Sequence, residues 1–221
     1  MSHTLPLKEI SDVTHDTRRL TFDRPRDFEF QPGQATELTL MRDGWRDEGR
    51  PFTMVSMPGE PLLEFVIKIY PEHDGVTEQI ATLTPGENVT LSDPFGAITD
   101  HGPGTFVAGG AGITPFIALL RSRARTDGAE DCHLIFANKA ERDIILREDW
   151  EAMPGLRTTF VTDAQDDLPD GPVDRDFLDG HVGPDTPHLY ICGPQGLVDA
   201  VRDAAKSLGV PEDRIVTEEG W

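Results

Sequence analysis

Residues 105–120 read TFVAGGAGITPFIALL. Three glycines, Gly109, Gly110 and Gly112, fall within four positions between two apolar runs. The first run, TFVAGG, is continuous, as expected of a strand covered on both faces. The second, PFIALLRSRART, carries helical spacing. So little side chain where a strand turns into a helix has two explanations: the turn is tight, or a ligand must lie against bare backbone. In an open α/β sheet, ligands sit at the carboxyl ends of the strands, which is where these glycines fall. Thr114 and Pro115 open the helix, where proline is preorganised and its missing N–H costs nothing. Free N–H groups and the helix dipole at that point suit an anion such as a pyrophosphate. The spacing is not G-x-G-x-x-G, and one glycine-rich turn leaves both explanations standing.

The strand–helix rhythm continues downstream. CHLIFAN is a strand, DIILREDWEAM a helix, RTTFVT a strand, DFLDGHV a short helix, HLYICG a strand and GLVDAVRDAAKSLG a helix, before RIVTEEGW ends the chain. Alternation of this kind predicts a parallel sheet with helices on its faces. HLYICGPQG repeats the strand–turn–helix logic, with Cys192, Gly193 and Pro194 at the strand's end; a buried structural cysteine is the plainer reading of Cys192.

Upstream the pattern differs. LPLKEISDV, TRRLTFDR, QATELTL, LLEFVIKIY and NVTLSD are short, β-branched or aromatic, and separated by turn-formers such as QPG, RDG, TPG and DPFG. One helical piece, VTEQIATL, interrupts them. This spacing predicts a closed or nearly closed antiparallel barrel. The fold class is therefore two-domain, β followed by α/β: an antiparallel β-barrel over residues 1–99 and a parallel-sheet domain over residues 100–221. There is no internal repeat and no low-complexity tract.

Composition narrows the function classes. Forty acidic residues against twenty basic ones give a net charge of −20, which repels nucleic acid and anionic membranes. Only four of the twenty cations are lysines. The acidity reads first as a solvated surface; a basic partner and a saline cytoplasm also fit it. Two cysteines, Cys132 and Cys192, are too few for a disulfide framework or a four-thiolate iron–sulfur cluster within this sequence. No apolar run approaches the roughly 20 residues of a membrane span. The start, MSHTLPLKEI, lacks a signal-peptide pattern. The expectation is a cytoplasmic monomer. His15 and His73 have no metal-spaced partner and read as exposed loop residues, so no metal is assigned. Trp45 falls in a polar hairpin, and Trp150 ends an apolar helix face.

RPFTMVS, residues 50–56, sets an arginine, an aromatic ring and two hydroxyls in one barrel strand. Arg50 suits bidentate phosphate binding, Phe52 could pack on a flat ring, and Thr53 could hydrogen-bond a ring heteroatom. A solvated arginine on a core strand is the alternative. VTHDTRRLTFDRP, FQPGQ, RPFTMVS, HDGVT, DPFG, GGAGITP and ICGP follow one another in an order and spacing that resemble the ferredoxin–NADP reductase superfamily over almost the whole chain. The resemblance is to the compact bacterial flavodoxin/ferredoxin reductases without a fused iron–sulfur domain. Two positions depart from the family's R-x-[YF]-[ST]-x-x-S: Phe52 stands for the common Tyr, and Thr53 for the common Ser.

That resemblance implies FAD in the first domain, in preference to FMN, and NADPH or NADH in the second. By resemblance, Arg50 binds the flavin's phosphate, with Pro51 beside it. Phe52 packs on the isoalloxazine and Thr53 bonds near N5. Ile67 and Lys68 line the isoalloxazine and ribityl chain, and Tyr70 either stacks on adenine or is a half-exposed barrel aromatic. Gly75, Val76 and Thr77 present N–H groups to phosphate. Gly110, Gly112, Thr114 and Pro115 hold the nicotinamide cofactor's pyrophosphate, and Cys192, Gly193 and Pro194 stand beside the nicotinamide. In FANKAERDIILRED, Asn138, Lys139 and Arg142 face the adenosine ribose. Lys139 and Arg142 favour a 2′-phosphate, Glu141 a free 2′-hydroxyl, and the balance leans to NADPH. The implied catalytic group is Thr53, Cys192, Glu219 and Trp221, with Trp221 covering the flavin face. The implied activity is transfer of a hydride from NAD(P)H to FAD and of electrons to ferredoxin, flavodoxin or another acceptor. Two alternatives remain: a reductase of free flavin, ferric chelate, haem protein or an oxygenase component, and a flavin- or nucleotide-binding subunit that does not turn over alone.

Overall fold

The computed structural model describes residues 2–71, 74–96, 98–126, 128–163, 168–169 and 171–218. The chain divides into two compact units, Met1–Thr99 and Asp100–Trp221. The first unit holds β1 (His3–Pro6), β2 (Glu9–Thr14), β3 (Thr17–Asp23), β4 (Ala35–Leu40), β5 (Arg50–Thr53), β6 (Leu62–Lys68), α1 (Val76–Ala81) and β7 (Asn88–Leu91). They form two antiparallel sheets, ordered β1-β7-β4-β5 and β2-β3-β6. In a strand, alternate residues share a face, and here Leu20 and Phe22 of β3 lie opposite Phe65 and Leu63 of β6. All four are fully buried. They join Ile67, Leu38, Leu40, Met54, Val89 and Leu91 in one core. A bridge between Met54 and Phe65 joins the two sheets around it.

LPLKEISDV, expected as one strand, is two. Leu7 exchanges backbone bonds with Gly86 and Glu87, while the Lys8 N–H donates to the Thr21 carbonyl at 2.9 Å. The chain passes from one sheet to the other at that step, so β1 and β2 belong to different sheets.

The second unit holds β8 (Thr105–Gly109), α2 (Thr114–Thr126), β9 (His133–Asn138), α3 (Arg147–Ala152), β10 (Arg157–Thr162), α4 (Arg175–Leu178), β11 (Leu189–Cys192), α5 (Gln195–Ser207) and β12 (Ile215–Thr217). Its five strands are parallel, in the order β10-β9-β8-β11-β12. Central β8 is buried at every residue, as a strand covered on both faces must be. On one face, Val201, Ala204 and Ala205 of α5 pack with Val107, Ile135 and Ile191. Phe106 stacks on Tyr190 at 4.3 Å between ring centroids. The helix expected over DIILREDWEAM is shorter. A 3-10 turn at Glu141–Asp143 is followed by Leu146 at φ 56°, and only Arg147–Ala152 is α-helical. Burial of Ile144 and Ile145 pulls the chain inward, and the Trp150 indole N–H donates to the Ile145 carbonyl at 2.8 Å.

Candidate cofactor sites

The order of the parallel sheet reverses between β8 and β11, and the crevice outside such a switch point is where open α/β sheets bind ligands. Both turns flagged in the sequence lie there, and the glycines differ in purpose. A Cβ on Gly112 would stand 2.3 Å from the Cys192 carbonyl oxygen, and one on Gly109 2.5 Å from Leu197 Cδ2. Gly193, in turn, approaches the Gly109 backbone nitrogen, where a Cβ would lie 3.0 Å away. These three let the two strand–helix turns touch backbone to backbone. Gly110 is otherwise: at φ 50° a Cβ there would meet nothing within 4 Å. It turns the chain and leaves the backbone open on its free side. Gly110–Ile113 forms a 3-10 turn leading into α2, whose 13 residues carry no acidic group in the first turn. The Thr114 hydroxyl donates to the Ala111 carbonyl at 3.1 Å.

Cys192 closes the second turn, 6% exposed. Burial pushes its thiol up, and the Glu218 carboxylate adds to the rise. A hydrogen bond from the thiol to that carboxylate works in the same direction. Glu218 is exposed overall, yet its carboxyl is turned onto Cys192 and partly desolvated, which raises it; the thiol's hydrogen bond works against that rise. At Cys192, burial and the carboxylate both favour the protonated thiol over the thiolate that would act as a nucleophile. Glu219 and Trp221 lie outside the described residues; Glu218, which the sequence reading passed over, is the described carboxylate at Cys192.

At the carboxyl ends of β9 and β10, Asn138 is 8% exposed. Its Oδ1 is buried without a hydrogen-bond partner among the described residues. Lys139 and Arg142 are exposed and form no ion pair among the described residues. Glu141 is held by Arg147, which also bonds Glu151 at 2.8 Å. The Asp163 N–H donates to the Asn138 carbonyl at 3.2 Å, which puts an exposed aspartate at the same carboxyl end of the sheet. Sequence reasoning missed Asp163; its signal was its place one residue after RTTFVT.

In the first unit, β5 is an edge strand, a position that tolerates Pro51 because its outer side needs no N–H donor. Arg50 and Pro51 are exposed, Phe52 is half-buried against the barrel core, and Thr53 is buried. Arg50 reaches back into its own turn, to Glu48 at 2.9 Å and the Gly49 carbonyl at 2.8 Å. The Ile67 side chain lies in the core at 2% exposure, which leaves only its main chain for a ligand. Lys68 places its ammonium 2.9 Å from Asp16. Burial alone would raise the Asp16 carboxyl, but hydrogen bonds from Lys68 and Thr14 outweigh it and hold it below the usual range. Tyr70, 44% exposed, donates its N–H to Thr77 Oγ1 at 3.3 Å. Gly75 is extended and caps α1, with Val76 buried behind it. His73 lies outside the described residues. Trp45 packs on the barrel core despite its polar neighbours.

Residues 4–99 match the oxidoreductase FAD-binding domain family and residues 106–203 the oxidoreductase NAD-binding domain family. The ferredoxin–NAD(P)+ reductase component of the naphthalene 1,2-dioxygenase/salicylate 5-hydroxylase systems of Ralstonia sp is 29% identical over 91% of this chain and 63% of its own. Ferredoxin–NADP reductase B of Sorangium cellulosum is 30% identical over 91% of this chain and 90% of its own. The chain belongs to the ferredoxin–NADP reductase superfamily. In fold, the ferredoxin NADP+ reductase of Neisseria gonorrhoeae, solved with bound FAD and NADP, superposes with a TM-score of 0.87 at 18% identity, covering 100% of this chain and 99% of that one. The chain spans 63% and 60% of the first two curated relatives it matches.

Membership in this superfamily makes FAD and NAD(P)(H) the cofactors. The side chains present suit both. For FAD the first unit offers an exposed guanidinium at Arg50, a half-buried ring at Phe52 and an exposed ring at Tyr70. For NAD(P) the second unit offers the open backbone at Gly110, before a helix start without acidic residues. No helix among the described residues is long and apolar enough to cross a membrane.

Proposed function

We propose that this chain is an NAD(P)H-dependent flavoprotein reductase that passes electrons to a small carrier such as ferredoxin or flavodoxin. The observation that carries the reading is the pair of glycine turns packed at the switch point of the parallel sheet, with Gly110 left open. Bound FAD would supply what side chains cannot, acceptance of a two-electron hydride and release of single electrons. The residues' part is to bind, orient and exclude water. Arg50 holds a flavin phosphate by charge-assisted hydrogen bonds, Phe52 packs on the ring system, and the Thr53 hydroxyl bonds a ring heteroatom. Lys68 serves the flavin through its aliphatic stem, because its ammonium is committed to Asp16. Tyr70 offers its ring to adenine. Gly75, Val76 and Thr77 add backbone N–H groups.

On the nucleotide side, Gly110, Gly112, Thr114 and Pro115 receive the pyrophosphate, while Asn138, Lys139 and Arg142 meet the adenosine ribose. Cys192, Gly193 and Pro194 bound the nicotinamide end. Glu218 keeps the Cys192 thiol oriented. Asp163 offsets the lean toward NADPH that Lys139 and Arg142 alone produce. The acceptor has two candidates of one chemistry: the Sorangium relative's name supports ferredoxin, and the Ralstonia relative's supports an oxygenase system.

Purified protein tests the reading. It should be yellow, release FAD on denaturation, and oxidise NADH or NADPH with an artificial acceptor. Release of FMN alone, or a colourless protein that no flavin reconstitutes, overturns the cofactor assignment. Flavin binding without turnover identifies a subunit that works only in a complex. Reduction rates for ferredoxin, flavodoxin and an oxygenase component then decide the acceptor.

A further inference from the structure

Arg50 is the one cation of β5, and its exposed guanidinium is already engaged. Its guanidinium is drawn back along the chain, Nη2 to the Glu48 carboxylate at 2.9 Å and Nη1 to the Gly49 carbonyl at 2.8 Å. The two side chains of the ion pair are 52% and 49% exposed, so nothing buries the pair and a ligand can displace it. A second carboxylate, Glu37, crowds the same turn: a Cβ on Gly49 would lie 2.5 Å from its Cδ. Glycine at 49 thus leaves room for the Glu37 side chain. A carboxylate bonded to a guanidinium takes up the donors that a phosphate oxygen would use, since both are anions recognised by the same fork.

We infer that Glu48 is an internal competitor for the flavin phosphate at Arg50 and sets how tightly this chain holds its flavin. The inference rests on the flavin reading of β5 given above. When only part of the protein has its binding group free, the apparent affinity falls by that fraction. An exposed ion pair is worth little, so the penalty is small and definite, about two- to five-fold in dissociation constant. It acts only on ligands that carry a phosphate.

The test is a fluorescence titration of deflavinated protein with FAD and with riboflavin, which has the same ring but no phosphate. Wild type is compared with Glu48→Gln, Glu48→Ala and, as a control for net charge, Glu9→Gln at an exposed position of β2. Both Glu48 variants should bind FAD about two- to five-fold more tightly, with riboflavin unchanged and Glu9→Gln like wild type. An unchanged or weaker FAD affinity in the Glu48 variants overturns the inference, as does an equal gain for riboflavin or for Glu9→Gln. Failure of every form, wild type included, to bind FAD overturns the flavin reading beneath it and is a different result.

Discussion

At the scale of single residues, the switch point separates two kinds of glycine. Gly110→Ala adds a methyl group into open space and has only the strain of φ 50° to bear, about 1 kcal/mol. Gly112→Ala drives a methyl group to 2.3 Å from the Cys192 carbonyl oxygen, backbone that cannot step aside, so the two turns must separate. Chemical denaturation should rank Gly112→Ala well below Gly110→Ala in stability, with NAD(P) affinity lost in the former; equal stabilities would contradict the packing. Arg50→Ala removes a charge-assisted contact and should weaken FAD binding by about 1.5–3 kcal/mol, read by flavin titration. The charges at the ends of β9 and β10 give two shifts of opposite sign. Lys139→Ala should move the NADPH-to-NADH ratio of kcat/KM toward NADH, and Asp163→Asn should move it toward NADPH, each by about three- to ten-fold for one exposed charge near a phosphate. Steady-state kinetics with both nucleotides checks this, and parallel losses with both would assign the residue to general steering. Lys139 was legible in the sequence because FANKAERD follows a strand. Asp163 was not, because only the register of β10 against β9 brings it to Asn138.

At the scale of elements, the amino ends of β9 and β10 carry a buried titrating group remote in the strands from the glycine turns. His133 opens β9, 8% exposed, with Nε2 2.9 Å from the Thr159 hydroxyl of β10. Burial first, then the nearby charge of Arg157 and the His181 ring, pushes its pKa down to about 4. His181 is lowered by burial and Arg157 as well. The native state therefore keeps His133 neutral to about pH 4, while the unfolded chain protonates near 6.5. Between those values the unfolded state binds more protons, so stability falls as pH falls, by up to about 3 kcal/mol in total. Denaturant midpoints at pH 7.5 and 5.0 should show the drop, and His133→Asn should shrink it; a wild-type midpoint equal at both pH values would refute the account. The order of elements was readable because period-2 and helical spacing are local properties. The break at Leu146 and the sheet change at Leu7 were not. Each is set by what the chain packs against, Trp150 over Ile145 in one case and the 86–87 turn in the other. The same holds for Ile67, whose apolar identity was plain but whose burial in the barrel core is a property of the closed sheets.

At the scale of the molecule, the dominant quantity is a net charge of −20 over 221 residues. Two electrostatic effects oppose each other when salt is added. Exposed ion pairs such as Lys8–Asp23 and Lys206–Glu212 weaken, but such pairs are each worth about 0–1 kcal/mol. Repulsion among the surplus carboxylates is screened at the same time, and it acts over the whole surface. With twice as many anions as cations, the second effect wins, and the melting temperature should rise with potassium chloride. The shape of the rise identifies its cause. The Debye length shrinks from about 30 Å at 0.01 M to about 10 Å at 0.1 M and about 3 Å at 1 M, so screening of long-range repulsion should be largely complete by a few tenths molar. A melting temperature that climbs steeply below about 0.3 M and then flattens is the screening signature. A climb that continues in proportion to salt into the molar range would instead report exclusion of salt from the surface and tighter burial of apolar groups. A flat or falling curve would mean that the carboxylates are already compensated within the fold, and the acidity would then be left to explain through a basic electron acceptor. Thermal scans of the flavin-loaded protein at constant pH, with flavin fluorescence reporting unfolding, separate the three outcomes.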